Sequence, residues 1–410
     1  MEKAEKRRQI VDSAYREDLP AISSGALQNN CLFSPDFIFT ALAAFSNSFG
    51  LQMLVATLPV YVISSLGGNQ AQAGLVSGSL AFTALLFRPF VGWLTDAWRR
   101  RPLILIGTFC YGFANVFYLM ANSIPRLLLG RLVHGLGLSC YSTAANAYIA
   151  DIAPFRRRAE AVGLFTAMQA MGLIIGPVAG FLIINRLGFR NLFYFSGGLA
   201  FMAFFISLIP RERRPASEIK KQTWSWRSGI IALDALPAAW MALCMGMGFG
   251  AVSAFISIFA GSRGIKNPGF FFMVQAVALI ISRLFAGRLA DRHGRAVVIV
   301  PGVSLMSAAL ILLPLAYRFD HFAVAASLLG LGFGAAQPAS MALLIDSVSP
   351  DQRGLATSTY YTGFDVGISL GSLLFGLLAQ VWGFGIMWPV AGICTLSGLG
   401  GFFIQADKRR

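Results

Sequence analysis

Long apolar runs separated by short polar segments dominate the sequence and restrict what it can fold into. The hydrocarbon core of a bilayer is about 30 Å thick and needs about 20 apolar residues per helix. Only 12% of the residues are charged, against about 25% in soluble domains. Breaks at charged, glycine and proline clusters predict twelve transmembrane helices, at 36–64, 72–97, 102–121, 125–150, 158–186, 190–209, 230–260, 269–290, 296–316, 321–347, 353–382 and 385–405.

The net charge of +15 comes from arginines and lysines that gather in alternate polar segments. In a membrane protein this asymmetry sets orientation, so it predicts topology rather than a nucleic-acid partner. Residues 1–30 are polar and lack the apolar core of a signal peptide, which predicts a cytoplasmic tail. We expect both termini to be cytoplasmic and the chain to lie in a bacterial inner membrane. The predicted domains are a tail at 1–35, a bundle at 36–209, a linker at 210–229, a bundle at 230–405 and a tail at 406–410.

Several classes of function are disfavoured by what the sequence lacks. No Gly-x-x-x-x-Gly-Lys-Ser/Thr loop is present, so we expect an ion gradient rather than ATP as the energy source. Three histidines and no clustered acids argue against a membrane-embedded enzyme and against a bound metal or other cofactor. The cysteines have no paired spacing and are interpreted as packing residues rather than disulfides; they are Cys31, Cys110, Cys140, Cys244 and Cys394.

An internal repeat divides the chain in two. A shift of 195 residues aligns RPFVGWLTD, which begins at Arg88, with RLFAGRLAD, which begins at Arg283. The same shift also matches Asp151 with Asp346 and Arg158 with Arg353. Two homologous bundles of six helices follow, an arrangement in which substrate sites lie near the middle of the membrane between the halves.

With these motifs the chain resembles the major facilitator superfamily, and within it the twelve-span drug/proton antiporters. The family's loop motif, Gly-x-Leu-Ala-Asp-Arg-x-Gly-Arg, is matched by GRLADRHGR at 287–295. The first copy, GWLTDAWRRR at 92–101, has Arg99 in place of the family's second glycine. Arg131 in RLVHGLG matches the fourth-helix motif. The resemblance implies an all-α fold of two pseudo-symmetric six-helix bundles that rock around a central site.

The loop motifs carry the predicted gate. By resemblance, Asp96 meets the start of helix eleven, Arg100 pairs with Asp151, and the second half mirrors both. A carboxylate at a helix N-terminus is stabilised by about 0.3–1 kcal/mol. This is enough to favour one conformation of the two bundles without preventing conversion to the other. The alternative is that these are solvated charges that only set topology. The predicted gating residues are Gly92, Asp96, Arg100, Asp151, Gly287, Asp291, Arg295 and Asp346.

Arg88 precedes Asp96 by eight residues and so lies about 12 Å deeper along its helix, as does Arg283 before Asp291. A guanidinium at this depth costs at least ~2.5–3.5 kcal/mol unless it faces protein or water. Two such groups facing each other can bind a carboxylate or phosphate; alternatively, each arginine satisfies local carbonyls or a resident acid. The predicted substrate-binding residues are Arg88, Arg283, Arg131, Tyr361, Gln337 and Asn47.

Asp365 lies about 18 Å into helix eleven and is the predicted proton-coupling carboxylate, because an intramembrane acid is by default a functional candidate. The alternative is a permanent counter-ion to one of the arginines. His134 is the second proton-coupling candidate, and a hydrogen-bonded packing histidine is its alternative. Helix one has no acid and offers only Asn47 and Gln52 as polar candidates.

Helix five contains GLIIGPVAG, with Gly172, Gly176, Pro177 and Gly180. By resemblance this pattern is characteristic of exporters, whereas the structural alternative is tight packing against helix eight. Export of an amphipathic compound also suits an aromatic lining, expected from Phe45, Phe249, Phe255, Tyr141, Tyr360 and Tyr361.

The sequence therefore predicts a monomeric, proton-coupled efflux antiporter, not an enzyme, whose partners are protons, the lipid bilayer and a small amphipathic drug-like or anionic, siderophore-like compound. Two alternatives remain: a proton-coupled importer of an organic anion, and a non-transporting receptor or sensor.

Overall fold

The computed structural model describes residues 33–154, 157–212, 232–349 and 352–407, and within these ranges the chain is helical without strands. Short 3-10 turns precede the seventh helix (Leu233–Ala235) and follow the ninth (Leu313–Leu315). Eight uninterrupted helices are α1 (Pro35–Ser64), α2 (Gln70–Ala97), α3 (Arg100–Leu119), α4 (Ile124–Ile152), α7 (Leu236–Ser262), α8 (Gly269–His293), α9 (Ala296–Leu312) and α10 (Phe319–Ile345).

Two further helices are far longer than a bilayer is thick, and each is broken once. The 50-residue helix Arg158–Ser207 would extend about 75 Å if it were straight. Gly188 interrupts it with φ 82° and ψ 172°, which gives α5 (158–187) and α6 (189–207). Gly383, with φ 75° and ψ 173°, divides Arg353–Asp407 into α11 (353–382) and α12 (384–407). Side chains disfavour a positive φ, so glycine is the residue suited to both breaks.

The predicted all-α membrane fold is confirmed, and the predicted spans agree with the helices to within a few residues except at α7. That helix begins at Leu236 rather than 230, after the 3-10 turn. Nine helices in the described ranges are long and apolar enough to cross a membrane. This number counts each of the two broken helices once and does not include α4. Twelve crossings therefore remain a prediction, as do the domain limits. Of the predicted tails and linker, the structure describes only residues 33–35, 210–212 and 406–407.

The repeat seen in the sequence reappears in the packing. A Cβ added to Gly172 on α5 would lie 2.8 Å from the carbonyl carbon of Ser48 on α1. A Cβ added to Gly367 on α11 would lie 2.9 Å from that of Leu243 on α7. Gly367 and Leu243 lie 195 residues after Gly172 and Ser48, respectively. Gly383 likewise lies 195 residues after Gly188. The two halves, α1–α6 and α7–α12, therefore share their helix contacts as well as their motifs.

The halves touch at one end of the molecule. There, α5 contacts α8 so closely that a Cβ at Gly269 would lie 2.5 Å from the carbonyl carbon of Pro177. Asn185 Nδ2 donates to the Lys266 carbonyl at 2.9 Å, and a Cβ at Gly376 on α11 would lie 2.9 Å from the Gln70 carbonyl oxygen on α2.

At the other end the halves are apart. A Cβ at either loop-motif glycine, Gly92 or Gly287, would meet no atom within 4 Å, and each glycine lines a cavity. The structure is thus closed at the end of the α1–α2 and α7–α8 turns and open at the end that carries the loop motifs.

Candidate functional site

Four adjoining cavities form the central site of the described part of the chain. Three of them are lined by both halves, and the one nearest Arg283 is lined by the second half alone. The Arg283 cavity, of about 790 Å³, and the Arg88 cavity, of about 660 Å³, reach the open end and share Tyr361. The deep cavity, of about 290 Å³, shares Arg88 and Asp365 with the Arg88 cavity. The Asn47 cavity, of about 330 Å³, shares Phe249 with the deep cavity and Arg283 with the Arg283 cavity. Cavities of these sizes suit small organic ligands.

Arg88 on α2 forms an ion pair with Asp365 on α11, through Nη1 and Oδ2. The pair connects the two halves, and its residues are 277 positions apart in the chain. The Asp365 side chain is 11% exposed and that of Arg88 34%, so the pair lies at the cavity wall rather than in bulk solvent. The predicted counter-ion arrangement is thus present in this conformation.

Arg131 and His134 lie one turn apart on α4 but have different surroundings. Arg131 is 1% exposed, donates from Nε to the Val76 carbonyl at 3.1 Å and lines the deep cavity. His134 lies 3.0 Å from the Tyr118 hydroxyl through Nδ1 and packs edge-on against Tyr111 at 4.6 Å. His134 lines none of the four cavities, whereas Asp365 lines two of them. The structure therefore does not bring together Asp365 and His134, the two residues predicted to couple protons.

Arg283 on α8 has a neutral partner. Its Nη2 donates to Gln337 Oε1 at 3.2 Å. Tyr361 lies in the same cavity, one turn before Asp365 on α11, so it stands between the two arginine sites. Arg88 and Arg283 therefore occupy equivalent repeat positions with unlike partners, one acidic and one amide.

Three phenylalanines line the cavities between the two arginine sites: Phe249, Phe333 and Phe364. Their ring centroids lie 5.4–6.1 Å apart, on α7, α10 and α11. Sequence reasoning found Phe249 but missed Phe333 and Phe364, because one phenylalanine among 35 carries no signal of which way it points. This aromatic cluster supplies an apolar face for the body of an amphipathic ligand.

Asn47 and Tyr141 both line the Asn47 cavity, as expected of cavity residues. Other expected aromatic lining residues do not line any of the four cavities. Phe255 is fully buried against Phe384 at 6.3 Å, and Tyr360 is fully buried with its hydroxyl 2.6 Å from Ser340 Oγ. Phe45 stacks on Phe49 instead. The expectation was wrong for these three. Neighbouring helices, which the sequence does not reveal, cover Phe255 and Tyr360, whereas Phe45 packs along its own helix.

The loop-motif ion pairs are present in both halves. Arg100 Nε lies 3.1 Å from Asp151 Oδ2, and Arg295 Nη2 lies 3.5 Å from Asp346 Oδ2. Arg100 also donates to the Thr95 carbonyl. The side chains of Asp96 and Asp291 lie outside the described residues, so their predicted docking at helix starts stays a prediction.

The glycines of the α5 motif pack against α1, not against α8 as the structural alternative held. A Cβ at Gly176 would lie 2.8 Å from Gln52 Cβ, and one at Gly180 would lie 3.1 Å from the Met53 carbonyl oxygen. Only Pro177 faces α8, through its contact with Gly269. Since proline sits one position after Gly176, it points to a different side of the helix from the glycine stripe.

Comparison with known proteins identifies the family to which this arrangement belongs. The family model described as Major Facilitator Superfamily matches residues 40–281 and 267–410. Multidrug resistance protein MdtG of Escherichia coli is 25% identical over 89% of this chain and 93% of its own. Quinolone resistance protein NorA of Staphylococcus aureus is 22% identical over 81% of this chain and 87% of its own.

Among solved structures, the nucleoside transporter NupG superposes with a TM-score of 0.74 at 13% identity, over 90% of this chain and 99% of that one. The family match supports a non-enzymatic transporter and does not support the receptor alternative. The chain is a multi-pass membrane protein that carries a small-molecule substrate and belongs to the Major Facilitator Superfamily.

Proposed function

We propose that the protein exports a small amphipathic compound from a bacterial cell in exchange for protons, as a monomer in the inner membrane with both termini cytoplasmic. The open end then faces the cytoplasm, and the four cavities receive the cargo from inside. The observation that carries the proposal is the Arg88–Asp365 pair, which joins the halves at the wall of the central site.

A proton that neutralises Asp365 breaks this pair. Breaking a largely buried pair by removing one charge costs about 3–5 kcal/mol when the other charge stays in place, which is enough to shift the balance between two conformations. For exchange, this proton comes from outside in the outward-open conformation and favours return to the conformation described here. There the proton leaves to the cytoplasm and the pair re-forms. Asp365 thus acts as the proton site and Arg88 as its counter-ion in the unprotonated state.

The outward direction is supported by the relatives MdtG and NorA, which are named for drug resistance, since export of a compound protects the cell from it. It is also supported by the Gly-x-x-x-Gly-Pro-x-x-Gly pattern in α5. The aromatic cluster of Phe249, Phe333 and Phe364 suits an apolar cargo body. NorA is named for quinolones, which makes a quinolone a reasonable first probe.

A second candidate is proton-coupled import of an organic anion. It is favoured by the excess of arginine over acid in the cavities. Among the described lining residues there is one carboxylate, Asp365, and there are four arginines: Arg88, Arg131, Arg283 and Arg295. Inside-out vesicles separate the two. Export predicts that quinolone accumulates in the lumen when the lumen is acidic and leaves when the gradient collapses. Accumulation only when protons enter together with the cargo would establish import instead.

The role of Asp365 is tested with Asp365→Asn in proteoliposomes. An amide still accepts a hydrogen bond from Arg88 but takes up no proton. We expect transport driven by a pH gradient to be lost while exchange of labelled for unlabelled quinolone continues. Asp320→Asn, at an exposed helix start beside Arg318, is the matched control and should behave as wild type. Gradient-driven transport at the wild-type rate in Asp365→Asn would remove Asp365 from the mechanism.

A further inference from the structure

The two halves differ in the charge that faces their equivalent arginines. The shift of 195 residues relates Arg88 to Arg283, and the same shift relates Asp365 to Ala170. Arg88 pairs with Asp365, whereas Ala170 lines the Asn47 cavity together with Arg283. The second half of the pseudo-symmetric arrangement therefore has the cation without the acid.

The same cavity holds two buried polar side chains that lack partners. Asn47 is 2% exposed, and neither its Nδ2 nor its Oδ1 has a hydrogen-bond partner among the described residues. Tyr141 is 3% exposed, and its hydroxyl is equally unpartnered. Leaving such a group unsatisfied costs about 1–3 kcal/mol, so native structures retain one chiefly where it has a use. Both residues line the Asn47 cavity beside Arg283.

The charge in the Asn47 cavity is uniformly positive. Arg283 is the one charged residue among the described lining residues, and the other polar lining groups are hydroxyls and amides. Its described hydrogen-bond acceptor, Gln337 Oε1, is neutral, so nothing in the Asn47 cavity balances the guanidinium. A guanidinium accompanied by a hydroxyl and an amide N–H matches the hydrogen-bond acceptors of a carboxylate.

We propose that the Asn47 cavity binds an anionic group of the cargo, a carboxylate above all, which takes the place opposite Arg283 that Asp365 occupies opposite Arg88. Asn47 Nδ2 and the Tyr141 hydroxyl are the additional donors. The apolar body of the cargo then lies along the aromatic cluster, since Phe249 and Phe333 line the same cavity. This inference rests on the proposed transport function and names the chemical class of the cargo.

The first test needs no ligand. Ala170→Asp supplies a carboxylate opposite Arg283. When Arg283 is present, we expect this change to raise the thermal unfolding temperature or to lower it only slightly. In an Arg283→Gln background, the change should lower that temperature by several degrees more than it does with Arg283 present. Ala170→Asn, of the same size without charge, is the control and should show no such dependence on Arg283. Gel filtration establishes that each variant is folded.

The second test uses two probes, a quinolone carboxylate and its ethyl ester, with binding measured by calorimetry on the purified wild-type chain and its variants. We expect the acid to bind at least tenfold more tightly than the ester. Arg283→Gln and Ala170→Asp should each abolish this preference, Tyr141→Phe should reduce it, and Ala170→Asn should leave it intact.

The anion site would be overturned by equal binding of acid and ester, by binding of neither, or by a preference for the acid that survives both Arg283→Gln and Ala170→Asp. It would also be overturned if the thermal effect of Ala170→Asp did not depend on Arg283. Flux separates this failure from failure of the transport proposal. Efficient transport of the ester with no preference for charge would leave the transporter standing without the anion site. A clear acid preference without any flux would leave the site standing without transport.

Discussion

The closed end of the molecule depends on backbone contact between α2 and α11, and Gly78 is the place to perturb it. A Cβ at Gly78 would lie 2.8 Å from the Ser369 carbonyl oxygen and 3.3 Å from Ser372 Cβ, inside ordinary contact distance of 3.4–4 Å. The obstructing atom belongs to the backbone, so it cannot rotate away. Gly78→Ala therefore forces the two halves apart at this end.

The expected magnitude follows from the cost of overpacking. One extra methyl in a tight interface costs about 1–3 kcal/mol. Alanine also favours a helix over glycine by about 1 kcal/mol, but that gain is the same in both conformations of the transporter and cancels. A difference of 1–3 kcal/mol changes the ratio of conformations about 5- to 150-fold. We expect Gly78→Ala to deplete the structure described here in favour of one open at this end.

Distance measurements between spin labels can report this shift. Labels at Ser65 and Trp382, on opposite halves of the closed end, are introduced after replacement of the five native cysteines. We expect Gly78→Ala to add or enlarge a population with a longer label separation. Gly198→Ala, on α6 with open space beside it and outside the loop motifs and the cavities, should leave the distances unchanged.

A second control separates conformation from stability. A Cβ at Gly135 would lie 2.6 Å from Thr83 Cβ, a contact within one half that moves as a unit. Gly135→Ala should lower the unfolding temperature without changing the label distances. If Gly78→Ala left the distances as they are in Gly198→Ala, contact between α2 and α11 would not hold this end closed, and the reasoning would be refuted.

Two further predictions compare equivalent or neighbouring positions. Arg100→Ala should lower the free energy of unfolding by about 1–3 kcal/mol, because Arg100 is nearly buried and contacts both Asp151 and the Thr95 carbonyl. Arg295→Ala, whose longer and more exposed pair is weaker, should cost about 0–1 kcal/mol in the same denaturation assay, and an equal or larger loss would contradict this ranking. Gly176→Leu should destabilise the α1–α5 interface by about 1–3 kcal/mol or more and reduce transport, since its Cβ would meet Gln52 and the Phe49 carbonyl. Gly163→Leu, on the same helix with open space beside it, should cost little, and similar losses in both variants would contradict the packing explanation.

Much of the fold was predictable because bilayer thickness acts on each segment separately. A run of about 20 apolar residues must cross as a helix whatever its neighbours are, so the spans required only local hydropathy. The repeat was visible for a similar reason. Glycines such as Gly172 and Gly367 make the same close contacts in both halves, and that shared geometry preserves residue type at a constant offset.

The α7 boundary and the side-chain directions were not predictable in this way. The start of α7 is set by a 3-10 turn that hydropathy does not distinguish from helix. Phe255 and Tyr360 were expected in the cavity but are fully buried, Phe255 between Gly74 of the first half and Gly376 of the second, because rotation about a helix axis is decided by what packs on each face.

The sequence by itself determined that the chain crosses a membrane as helices in two related halves, and it showed Arg88, Arg283 and Asp365 within long apolar runs. These properties follow from composition and spacing along one dimension. Only the tertiary structure decided that Asp365 pairs with Arg88, while Ala170 and two unpartnered polar side chains face the same cavity as Arg283. Contacts between residues hundreds of positions apart depend on how the two halves meet, and no local pattern encodes that.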